Sequence, residues 1–94
     1  MNTSVNAAVI APATTVARLQ AWAADSTKTE RIAGPIDWTD AVKKFRLHEF
    51  DLMWHDEDNR WFGYKLRPLY ADRRAEVRTM TEEAYRFTLL RSIA

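Results

Sequence analysis

The chain has 94 residues, 47% of them hydrophobic, and no cysteine, so it is long enough for one core and excludes disulfides, thiolate metal sites and thiol nucleophiles together. Its 14 basic and 13 acidic residues nearly cancel, so the net charge of +1 is uninformative and the placement of the charges carries the information. Acids dominate from His48 to Asp58; bases dominate from Arg60 to Arg78 (Arg60, Lys65, Arg67, Arg73, Arg74 and Arg78, against Asp72 and Glu76).

Residues 1–11 show no sustained period and read as a loose arm. The apolar run Val5 to Ala13 lacks the preceding Lys or Arg of a signal peptide, since the first basic residue is Arg18, and with no cysteine the expected location is cytoplasmic. No apolar run reaches the roughly 18 residues that span a bilayer. From Pro12 the pattern changes: proline suits a helix start, Thr14 or Thr15 can cap, and Val16, Leu19, Trp22 and Ala23 recur three and four apart, predicting a helix to about Ala24. The polar stretch Asp25 to Pro35, ending in Gly34-Pro35, reads as a long connection. Asp37 then stands at an N-cap position with Asp40 in the first turn. Trp38, Ala41, Val42 and Phe45 form an i, i+3, i+4, i+7 stripe for a second helix to about Arg46.

After this helix the period switches to two. Phe50, Leu52 and Trp54 alternate with Glu49, Asp51, Met53 and His55, and Phe62, Tyr64 and Leu66 alternate beyond the polar DEDN, predicting a β-hairpin over 49–66. Opposed residues of an antiparallel pair share a face, so the register can be chosen. A three-residue loop, Glu57-Asp58-Asn59, pairs Trp54 with Phe62, Leu52 with Tyr64 and Phe50 with Leu66, with Asn59 in the left-handed position; an even loop would split the apolar set between the faces. Ala75, Val77 and Thr79 alternate with Arg74, Glu76 and Arg78 and suit a short third strand or one or two helical turns. Thr79 and Glu82 fit a capping box beside the stripe Met80, Ala84, Phe87 and Leu90, predicting a closing amphipathic helix.

Together these elements give one α+β domain over 1–94. A small antiparallel sheet of two or three strands is built on the hairpin 49–66. About three helices pack mainly on the face bearing Phe50, Leu52, Trp54, Phe62, Tyr64 and Leu66, in the order α-α-β-β-(β)-α.

The chemistry-bearing residues point away from catalysis and metals. His48 and His55 sit an odd number apart, so a strand sends them to opposite faces, and on a helix they stand about 10 Å apart along the axis; both read as solvated surface residues. The run from Asp56 has Trp61 where a calcium loop needs glycine and Arg67 where it needs glutamate, so it reads as a polar turn. No nucleophile elbow, HExxH or phosphate cradle is present, and the two glycines, Gly34 and Gly63, cannot make one. No catalytic residue, metal or cofactor is expected.

What remains is a surplus of aromatic residues and arginines, the types enriched at protein interfaces. The expected function is a non-enzymatic protein-binding module: an accessory subunit, adaptor or inhibitor of a larger intracellular machine, of the kind common among bacterial and phage accessory proteins. By strand parity Trp61 points away from the Phe62 face, so the expected partner surface is Trp61 with Arg60, Lys65, Arg67, Arg74 and Arg78. The alternative is a nucleic-acid-binding regulator using the basic 60–78 segment, which Glu49, Asp51 and Glu76 dilute.

Overall fold

A computed structural model describes residues 13–93, and the side chains from 14 to 85; the expected arm at 1–11 lies outside this range. Helix α1 spans Ala13–Ala24, strand β1 Thr29–Ile36, helix α2 Trp38–Arg46, strand β2 Leu52–His55 and strand β3 Trp61–Leu66, followed by a 3-10 turn, Pro68–Arg73, and helix α3, Arg74–Ile93. The three strands form one antiparallel sheet in the order β1-β3-β2.

The hairpin register is the predicted one, with Leu52 opposite Tyr64 and Trp54 opposite Phe62. The loop closes on Asp56, whose N–H donates to the Arg60 carbonyl at 3.0 Å, and Asn59 takes φ 59°, the left-handed value that a three-residue loop demands. The Asp56 carboxylate accepts from the N–H groups of Asp58 and Arg60, at 2.9 and 3.0 Å. The Arg60 N–H bond foremost, against the cost of desolvation, holds its pKa below the ordinary aspartate value.

The structure departs from several expectations. The 25–35 stretch is no long connection: β1 runs through it, pairing Thr29 with Leu66 and Arg31 with Tyr64. Its register slips between Arg31 and Ala33 and again between Ala33 and Ile36, and these bulges erase the two-residue period that would have marked a strand. Of the two readings of 74–79 the helical one holds: the segment is the first part of α3, because Val77 belongs to a helical spacing with Met80, Thr81 and Ala84, all buried. Thr79 therefore lies inside α3, and Thr14 and Thr15 inside α1, rather than before either helix.

In the layers, α1 and α3 pack on the expected face and α2 departs from it. The helices cover both faces of the sheet. Leu19, Trp22 and Ala23 of α1 and Val77, Met80 and Ala84 of α3 pack with Leu52 and Leu66 on one face. On the other, Ala41 and Phe45 of α2 pack with Phe50, Met53 and Trp61. Tyr85 touches both clusters.

Phe50 belongs to the second face and not, as expected, opposite Leu66, because the chain bends ahead of β2. Helix α2 ends in a Schellman arrangement: Glu49 N–H donates to Lys44 O and His48 N–H to Phe45 O, both at 3.0 Å, with His48 in the left-handed region at φ 62°. The turn throws the Phe50 ring over Gly63. Asp51, expected on the outward face, is 3% exposed; its carboxylate accepts from Leu66 N–H at 2.8 Å and from Arg74 Nε at 3.0 Å.

The two outer strands end the sheet differently. On β2, Tyr85 OH donates to Met53 O at 3.2 Å, and just before the strand Arg78 donates to Phe50 O at 2.7 Å, so α3 occupies carbonyls there. On β1 the two bulges, the charged Glu30 and Arg31, and Pro35, which has no N–H, interrupt the edge.

Candidate docking pocket

The expected partner residues do not form one surface. Trp61 does point away from the Phe62 face, as parity requires, but α2 covers that side and leaves the indole 8% exposed. Its ring lies 4.8 Å from Trp38, 5.1 Å from Tyr85 and 4.8 Å from His55. As an exposed anchor, Trp61 is therefore corrected: it is a core residue. Arg60 and Arg67 flank opposite ends of β3, roughly 20 Å apart at 3.3 Å per residue. Arg60 pairs with Asp56 at 2.9 Å, while Arg67 donates to Ser26 O at 2.8 Å and lies 4.0 Å from Glu30. Lys65 is exposed beside Glu30. Arg74 is taken by Asp51, and Arg78 donates to the carbonyls of Phe50 and Phe45, at 2.7 and 3.0 Å, with its guanidinium 4.0 Å over the Phe45 ring. Burial lowers the Arg78 pKa, and the charges of Glu82 and Asp51 partly restore it.

His48 is exposed, whereas His55 is half-buried, stacked 5.2 Å from Trp54 and tilted against Trp61. Among the described residues no group of three or more His, Asp or Glu is placed to hold a metal ion, and no helix is long and apolar enough to cross a membrane.

The concave apolar site lies between α2 and α3. Trp38, Val42, Phe45 and Arg46 fall within about 100° of the α2 circumference, and α3 adds Thr81, Glu82 and Tyr85. Met53 of β2 completes the lining of a gap of about 180 Å³. Its walls are fixed: Tyr85 is bonded to Met53 O and stands edge-on to Trp38 at 5.9 Å, and Arg78 backs Phe45. Burial raises the Tyr85 phenol above its ordinary pKa. Thr81 is buried but satisfied, its hydroxyl donating to Val77 O at 2.9 Å. Arg46 and Glu82 are the exposed lining residues and mark the mouth.

A volume near 180 Å³ is below the roughly 300 Å³ at which small-molecule sites begin, and close to the roughly 150 Å³ that holds a benzene ring. The gap has the dimensions of one aromatic ring. The α2 half of it was present in the sequence as the Trp38, Val42, Phe45 stripe; the α3 half carried a weaker signal, Tyr85 lying four residues beyond Thr81 and eight beyond Val77.

Two wider hollows are chemically self-contained. At the hairpin tip, Asp56 is already committed to Asp58 and Arg60. Beside Trp22, Arg18 and Arg73 share Glu76 and Lys28 lies 3.9 Å from Asp25, while Lys28 and Arg73 stand over the Trp22 ring. Comparison with protein-family models, with curated proteins and with solved structures finds no match to this chain.

Proposed function

We propose that the chain is a non-enzymatic protein-binding module, an adaptor, accessory subunit or inhibitor, and that its partner docks at the pocket between α2 and α3 rather than on Trp61. The observation that carries this reading is a pre-formed apolar gap of about 180 Å³ walled by aromatic rings in a domain this small. Fixed rings around a side-chain-sized hole are what an interface hot spot requires, because little ordering entropy is lost when a partner's anchor enters. The dispersal of the basic 60–78 segment weighs against the nucleic-acid alternative. Its arginines point to both ends of β3 and to buried carbonyls, and most are already paired, whereas a phosphate backbone needs a continuous run of free cations.

The test is a comparative pull-down from the native cell. Val42→Trp, which plugs the gap, should lose a partner that the intact chain and a hairpin-tip control, Glu57→Lys, both retain. The affinity for that partner should fall by about 2 kcal/mol or more. Retention of every partner by Val42→Trp, with its fold intact by circular dichroism, would defeat this reading.

A further inference from the structure

We infer that the pocket accepts a phenyl-sized side chain from an acidic segment of the partner, with Arg46 meeting the neighbouring carboxylate; this rests on the docking reading above and adds the partner's charge. The walls select the ring, since Trp38, Phe45, Met53 and Tyr85 present apolar surface around a volume of about 180 Å³.

The mouth selects the charge. Glu82, one turn on from Arg78 in α3, is exposed and forms no ion pair among the described residues, so it stands as one negative charge at the mouth. Arg46 is exposed and forms no ion pair among the described residues. Lys43, next round the helix on Arg46's side, is likewise exposed and unpaired among them, whereas Lys44, on the other side of α2, lies 3.5 Å from Glu49. A carboxylate arriving beside the ring meets Arg46 at the mouth, with Lys43 nearly one turn back on the same side of α2. A basic segment would meet the same two cations, which outnumber the single Glu82.

The full-length, isotope-labelled chain titrated by NMR with phenylacetate, benzyl alcohol and phenethylamine tests this, the three probes sharing one ring and differing in charge. Phenylacetate should move the amide signals of 38–46, 53 and 81–85 and bind about threefold more tightly than benzyl alcohol, with phenethylamine weakest. Arg46→Glu should reverse that order with at most a small loss of thermal stability, because it puts an acid in the last turn of α2, and Arg46→Gln, the milder variant, should flatten it. Rising salt should compress the differences. Equal binding of the three probes, or an order unchanged by both Arg46 variants, overturns the acidic-partner inference and leaves the docking pocket standing. Absence of any shift at these amides with all three overturns both.

Discussion

The ring of Phe50 fills the space that a Cβ on Gly63 would need. The bend after α2 and the middle of the central strand are therefore one packing unit, although thirteen positions separate them in the chain. Gly63→Ala should cost about 1–3 kcal/mol, because the ring has to leave its place. In a Phe50→Leu chain the same substitution should cost much less, and urea unfolding of the four chains of that cycle measures the coupling. Purely additive losses would show that ring and glycine do not meet.

Trp61→Ala should destabilise the fold by about 3–5 kcal/mol, the range for emptying a large aromatic site in a core, and should remove near-ultraviolet circular dichroism arising from the Trp38, Trp61 and Tyr85 cluster. A loss below about 1 kcal/mol in chemical denaturation would place the indole at the surface instead.

His48 holds the left-handed position that closes α2, at φ 62°. A side chain with a Cβ is disfavoured there, and glycine is not. His48→Gly should therefore raise stability, by up to about 1 kcal/mol, while His48→Val should lower it by a similar amount. Thermal unfolding of the pair gives the answer; a destabilised glycine variant would mean that the imidazole makes a contribution beyond its backbone angle.

Tyr85 gives the fold an alkaline limit. Below its ordinary pKa of 10.0 the phenol is neutral whether the chain is folded or not, and its burial carries no charge cost. Above that value the unfolded chain releases the proton while the folded chain keeps it. The unfolded state then binds fewer protons, and stability falls by about 1.4 kcal/mol per pH unit. Tyr85→Phe should lower stability at neutral pH by about 1 kcal/mol, for the lost bond to Met53 O, and should remove this part of the alkaline slope. Urea midpoints between neutral pH and the alkaline range, compared for the two chains, separate these effects.

Local signals read correctly where the structure is locally determined. Asp37 caps α2 by accepting from Asp40 N–H at 2.8 Å, and the odd hairpin loop follows from the alternation on both sides of it. β1 was illegible because its partner is β3, more than twenty residues on, and its bulges leave Thr29 buried, Glu30 to Ile32 exposed and Ala33 half-buried, which is neither period. At the start of α3, alternation and helical spacing share Val77, and only the buried Thr81 and Ala84 beyond it decide between them. The second face had a signal in the sequence. Met53 and Trp61 beside a glycine on the supposedly open side of the hairpin are a core face, and α2 was the element available to cover it. The pocket follows from that placement: with α2 on the second face, its apolar stripe and Tyr85 converge.

The unlike finishing of the two outer strands sets what the molecule can do in a crowded solution. A sheet grows by offering a row of free carbonyl and amide groups to another chain, and that row is the usual template for fibre formation. Here the side bordered by α3 is sewn to Tyr85 and Arg78, and the side formed by β1 is crooked and proline-bearing. Both borders of the sheet are thereby poor templates for a strand from another copy.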